Sequence, residues 1–207
     1  MSILFKRIFG CVLILICFCS ALGCKTGGLL QKERDKNPTL VTAKLKGEKT
    51  TLSIDLPFEV TSAPKDETSE IPSDVTDVLS KVQSYKAGND FISTNTLCYT
   101  FQDGIVENIS EQDIYNIFSE SLEESILPVK YNNNYSEFKI TRTDTRIANC
   151  PAMIAVATYT YKKKTHLKSK IVYVLYGQEM WRIIFDYRQS DETAASIVDS
   201  SVKSIRF

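Results

Sequence analysis

The chain has 207 residues, with 25 Lys and Arg against 25 Asp and Glu, one His, and apolar residues at 43%. A balance this even gives no global attraction to nucleic acid or to an anionic surface, so functions that rest on a strongly basic chain are excluded. The apolar content is that of a globular domain, and the length suits a single one with a proper core.

The first element in chain order is a leader. Lys6 and Arg7 precede an apolar run over 8–22, which closes on Ala21-Leu22-Gly23-Cys24. A charged start, a short apolar stretch and small residues before a cut make the layout of a secretory signal. At ~1.5 Å per residue the run spans roughly 22 Å, short of the ~30 Å hydrocarbon core, so a cleaved signal fits better than a transmembrane anchor. The last four residues resemble the lipobox of bacterial lipoproteins. That resemblance implies cleavage before Cys24, lipidation of its thiol, and an exported protein held to the cell envelope; two acyl chains anchor stably where one does not. Plain secretion is the alternative. Lys25 after the cysteine would suit the outer membrane in an organism with two membranes.

The expected organisation is a signal peptide over 1–23, a lipidated cysteine and tether over 24–40, and one domain over 41–207. Lys6 and Arg7 leave with the signal, so the exported chain carries a net charge of about −2. The stretch after Cys24 contains Gly27-Gly28 and Pro38 without periodicity, and its mean span is on the order of 20 Å.

Within the domain, Val41, Ala43 and Leu45 alternate, as do Leu52, Ile54 and Leu56 beyond Gly47, which predicts a hairpin leading into Pro57-Phe58. Val75, Val78, Leu79, Val82 and Tyr85 recur at helical spacing, so a helix is expected from Ser73 to the Gly88-Asn89 stop. A strand over 91–101 should set Leu97, Tyr99 and Phe101 against Ile92 and Cys98. Ser110 followed by Asp113 is a capping signature for a second helix, with Ile114, Ile117, Phe118, Leu122 and Ile126 inward and Pro128 as its stop. Strands over about 135–147, 150–162, 169–176 and 179–187 form a meander. Asp191 caps a last helix with Ala194, Ile197, Val198, Ser201 and Val202 inward. The expected fold is α+β, a single central antiparallel sheet with flanking helices.

The run Leu52-Ser53-Ile54-Asp55-Leu56-Pro57-Phe58, the element order after it and the closing Ser204-Ile205-Arg206-Phe207 resemble the PsbP-like group, and within it the small bacterial DcrB-like lipoproteins. Asn149-Cys150-Pro151-Ala152 stands where those proteins often carry a Gly-X-Pro-Ala element, with Cys150 and its neighbours departing from the glycine. The resemblance spans roughly 50–207. It implies an αβα sandwich and an accessory or assembly role, with no catalytic residues to carry over.

Candidate site residues are few. Of the six cysteines, Cys11, Cys17 and Cys19 fall in the signal and Cys24 takes lipid. Cys98 and Cys150 are left, either as one disulfide or as two buried thiols. Lys162, Lys163, Lys164, Lys168 and Lys170 share one hairpin; they could grip an anionic surface, or simply keep a sheet edge solvated. His166 among them has no evident acid partner and reads as a solvated loop residue, and no metal site of the usual kinds is visible. Glu107, Glu111, Asp113, Glu120, Glu123 and Glu124 read as a solvated helix face. Tyr159, Tyr161, Tyr173, Tyr176, Trp181 and Tyr187 form core if helices cover the sheet, or a binding floor if they do not. No cofactor is expected. The expected partners are the membrane, through the N-terminal lipid, and an envelope protein, with no nucleic acid. The expected function is a non-catalytic binding or accessory module. The alternatives are a carrier of a small apolar ligand held between sheet and helices, and more remotely a hydrolase built from scattered residues.

Overall fold

The computed structural model of the protein describes residues 38–62 and 77–207. The signal, Cys24, nearly all of the tether and the stretch 63–76 lie outside them. In chain order the elements are β1 (Val41–Lys46), β2 (Thr51–Leu56), β3 (Thr61–Ser62), β4 (Leu79–Gly88), β5 (Ile92–Phe101), a 3-10 turn (Val106–Asn108), α1 (Glu111–Lys130), β6 (Tyr135–Ile147), β7 (Cys150–Tyr161), β8 (Thr165–Tyr176), β9 (Glu179–Arg188) and α2 (Glu192–Lys203).

Two-sided apolar strands need cover on both faces, and the fold supplies it. Seven strands pair antiparallel in the order β3-β4-β5-β9-β8-β7-β6, with β9 inserted beside β5. On one face Leu97, Tyr99, Phe101, Met153, Ile171, Tyr173 and Met180 pack under α1, through Ile114, Ile117, Phe118 and Leu122. On the other, Cys98, Val172, Val174, Trp181, Ile183 and Phe185 pack under α2 and the β1–β2 hairpin. The hairpin is a separate two-stranded sheet laid on that face, joined to the chain end by a bridge between Ser53 and Arg206. The architecture is α+β, an antiparallel sheet between helical layers.

Both helices start where their caps place them. Ser110 Oγ accepts the Asp113 N–H at 3.2 Å, and Asp191 accepts the Ala194 N–H at 2.9 Å. Ala194, Ile197, Val198, Ser201 and Val202 are all buried, as the spacing required.

Two expectations fail. The stretch 79–88, assigned to a helix by its spacing, is strand β4. A bulge between Leu79 and Lys81 inserts one residue into the ladder, so Leu79 and Val82, three apart, fall on the same face and imitate helical periodicity. Nor does Pro128 stop α1, which runs on to Lys130. The missing N–H costs one bond in the last turn, and the Tyr131 N–H still closes on Leu127 O at 3.0 Å.

Candidate functional site

Three polar clusters stand out, at the two ends of the sheet and beneath α1. At one end, Glu179 opens β9 and is fully buried, at 0% exposure. Its Oε1 accepts the N–H groups of Glu48 at 2.6 Å and Lys49 at 2.9 Å and the Thr100 hydroxyl at 3.0 Å. Its Oε2 accepts the Thr50 N–H at 2.9 Å and the Thr50 hydroxyl. Burial pushes this carboxyl up, but the bonds from Thr50, Lys49, Thr100 and Glu48 together outweigh it and hold the group below the ordinary carboxylate range. A Cβ at Gly47 would run into the same carboxylate, so the turn needs glycine there. This cluster fastens the hairpin tip to the sheet.

Beneath α1, the Arg182 guanidinium donates to Ser125 Oγ at 2.8 Å and lies 5.9 Å from the Tyr99 ring centroid. The Tyr173 hydroxyl meets the same serine at 3.0 Å. Glu124 closes over this group at 7% exposure, which corrects its assignment to a solvated face. Burial and the neighbouring Glu120 push its carboxyl up to about 7, against the pull of Arg182. Nearby, Phe101, Val106, Ile109, Ile114, Ile117, Phe118, Leu175 and Met180 line a cavity of about 10 Å³, room for about one water. An apolar ligand of several hundred daltons does not fit that space. Tyr159, Tyr173, Trp181 and Tyr187 are buried and belong to the core, whereas Tyr161 is half-buried and Tyr176 is exposed and stacks on Phe207.

The opposite end of the sheet gathers aromatics and lysines. A bulge in β6 between Ser136 and Lys139, with Glu137 at φ 56°, turns both Tyr135 and Phe138 to the α1 face. Tyr135 meets Tyr159 edge-on at 5.4 Å and Tyr161 at 5.2 Å, and Phe138 stacks on Tyr159 at 6.4 Å. Behind them the Tyr159 hydroxyl contacts Ser169 at 2.9 Å, and Ser169 donates to Asp186. Burial pushes the Asp186 carboxyl up against both hydroxyls. No imidazole reaches Ser169, because His166 lies three residues away on the other face of β8. His166 Nδ1 is 3.0 Å from Thr160 Oγ1, which donates to Glu137 at 2.6 Å. An acid therefore does lie near His166, one hydroxyl removed, on an exposed hairpin.

The five hairpin lysines do not act as one group. Lys162, Lys163 and Lys164 form the exposed β7–β8 turn. Lys168 and Lys170 sit below them on the α2 face, and Lys170 is paired with Asp199. What joins the turn instead is the α1–β6 loop: the Lys162 N–H bonds Asn134 O at 2.6 Å, which brings Lys130 and Tyr131 to the same end. Sequence spacing could not show this, since the two loops are some thirty residues apart. Of the two readings left open for the cysteines, the structure has the thiols. Cys98 and Cys150 are free thiols, and β9 and β8 lie between their strands. Three strand spacings of ~4.8 Å separate them by roughly 14 Å, twice the ~7 Å that a disulfide can span. Among the described residues no group of three His, Cys, Asp or Glu could hold a metal ion, and no helix is long and apolar enough to cross a membrane.

No protein-family model matches the chain, and no curated protein matches it. Solved structures that resemble it in outline include LpqN of Mycobacterium tuberculosis, described as involved in cell envelope biogenesis. It is 9% identical, with 80% of this chain and 90% of that one covered at a TM-score of 0.47. Cyanobacterial PsbP from Synechocystis is 8% identical over 82% and 93% of the two chains, at 0.46. A protein of unknown function from Pseudomonas aeruginosa is 10% identical over 80% and 96%, at 0.40. At these scores the likenesses carry nothing about ligand, partner or activity, and the fold stands on the strands and helices described above.

Proposed function

We propose that this is an exported protein, anchored to the cell envelope by lipid on Cys24, whose domain is a non-catalytic accessory module that binds an envelope partner. The observation that carries the reading is the leader closing on Ala21-Leu22-Gly23-Cys24, placed ahead of a domain whose sheet aromatics Tyr173, Trp181 and Phe185 are buried in its own interior. A domain packed in this way offers its surface for use, and a lipid anchor concentrates that surface at one place. The PsbP-like and DcrB-like resemblance, with its accessory roles, agrees with this reading.

The test is native mass spectrometry of the processed protein released gently from its own membrane. Expected are a diacylglyceryl mass on the chain beginning at Cys24 and a protein partner retained with it. A small added mass of several hundred daltons beyond the anchor would replace this reading with the carrier. Cys24→Ala should leave the precursor uncleaved, and normal anchoring of that variant would remove the lipoprotein assignment.

A further inference from the structure

We infer that the end of the sheet built by Lys130, Tyr131, Tyr135 and Tyr161 and the Lys162–Lys164 turn is a docking face for an anionic phospholipid surface. On it the anchored domain lies down beside its own lipid. The inference rests on the anchoring proposed above for proximity, but its chemistry is separate.

The composition of this end matches that of membrane interfaces, where aromatic rings sit at headgroup level and lysines reach past them to phosphate. Tyr131 is 74% exposed, the largest exposure among the big apolar and aromatic side chains of the described residues, and the Lys130 ammonium lies 5.8 Å from its ring centroid. Lys162 repeats the arrangement 5.1 Å from Tyr161. Lys162, Lys163 and Lys164 make no ion pair among the described residues, in contrast to Lys170, which is paired with Asp199. Glu137 is the acidic residue among them, and it is engaged by Thr160. The local charge is therefore positive on a chain that is balanced as a whole.

The turn itself is the second observation. Lys162 and Lys163 have φ of 49° and 57°, and the Lys164 N–H closes on Tyr161 O at 3.1 Å. In this three-residue connection both central residues of the turn are left-handed, a conformation that favours Asn and Gly. Lysine twice in succession there is strained, as Ala148 is in the β6–β7 turn, and this turn differs in presenting cations at the strained positions.

The experiment uses the full lipidated chain in vesicles with brominated acyl chains, with Tyr131→Trp as reporter; Trp181 is buried at 0% exposure, out of bromine contact, and adds a constant background. The reporter indole should be quenched on phosphatidylglycerol vesicles, released by about 0.5 M salt as screening shortens to a few Å, and unquenched on phosphatidylcholine. Each lysine at such a surface is worth about fivefold in partition, so Lys162→Asn with Lys163→Gly, which relaxes the turn, should lower the docked-to-undocked ratio roughly 25-fold. An unquenched indole on phosphatidylglycerol, or equal quenching on both lipids, overturns the docking face. So does protection by an envelope protein without lipid quenching, which would assign the face to a protein. Flotation of the same vesicles reads the anchor separately: a protein that floats with its indole in water keeps the anchor and loses the docking face.

Discussion

Replacing Glu179 by Gln is the sharpest test of how the hairpin is held. The carboxylate is buried and accepts five donors, three on Oε1 and two on Oε2. Glutamine preserves the shape, and its carbonyl serves best in place of Oε1. The three bonds there then lose their charge assistance, about 0.5–1 kcal/mol each. The amide NH₂ must take the place of Oε2. The Thr50 hydroxyl can turn to accept from it, but the Thr50 N–H is left facing a donor, at a cost of about 1–2 kcal/mol. The expected loss is about 3 kcal/mol at pH 7, read as a fall in the urea midpoint with unchanged slope. Trp181, two residues along β9 and the single tryptophan, reports the transition.

The same substitution makes a pH prediction. The folded carboxyl titrates below its ordinary value of 4.5, so its contribution is fully present above that value and is lost as pH falls through the folded value. The gap between wild type and Glu179→Gln should hold from pH 8 to about 5 and narrow below about 4. A variant within 0.5 kcal/mol of wild type at pH 7, or a gap that ignores acidification, would refute the account of this cluster, since surface substitutions alone shift stability by about that much.

Gly47→Ala should destabilise by about 2 kcal/mol in the same urea assay, because its Cβ displaces the carboxylate, and it should add little to Glu179→Gln in a double-mutant cycle. Lys162→Asn with Lys163→Gly should raise stability by about 1 kcal/mol, through relief of two left-handed lysines. Glu124, with its carboxyl pushed up to about 7, opposes folding as it ionises; wild-type stability should fall from pH 4.5 to about 7 on its account, and Glu124→Gln should flatten that slope and gain about 1 kcal/mol at pH 8. Alkylation of the unfolded, unreduced protein should label both Cys98 and Cys150, whereas in the native state the buried Cys98 should stay unlabelled and the half-exposed Cys150 react slowly.

The parts of the fold that were legible in sequence are those where one period governs a whole element. The strands from 135 onward, the Ser110 and Asp191 caps and the inward residues of α2 all follow from alternation or from 3.6-residue spacing, because each lies against a single layer. β4 was misread because its bulge shifts the face between Leu79 and Val82, and a one-residue insertion converts a period of two into a spacing of three. Glu179 gave no signal at all, since a charged residue after Gly177-Gln178 looks like the rim of a turn. Only the fold shows that the hairpin from residues 47–50 comes down on it. The aromatic and lysine end was half legible: Lys162–Lys164 were visible as a run, but the loop carrying Lys130 and Tyr131 joins them only through the Asn134 bond.

The turn held by Glu179 and the lysine turn are built on opposite terms, and the contrast bears on how the molecule works. At the Glu179 end a turn of four residues is satisfied completely, with glycine where a side chain would collide and a carboxylate for every free donor. At the lysine end a three-residue turn keeps two side chains in a backbone region they disfavour and leaves three ammonium groups without ion partners among the described residues, beside the exposed Tyr131 of the α1–β6 loop. Selection for stability alone would have placed Asn or Gly at 162 and 163, where the backbone is left-handed. The β6–β7 turn at the Glu179 end also holds Ala148 and Asn149 left-handed, so what sets the lysine turn apart is that its strained residues are cations without ion partners among the described residues. Substitutions at the Glu179 end should therefore change stability and leave vesicle docking alone. Substitutions at the lysine turn should do the reverse, gaining stability as docking is lost, and a lysine-turn variant that gained stability with docking intact would break that link.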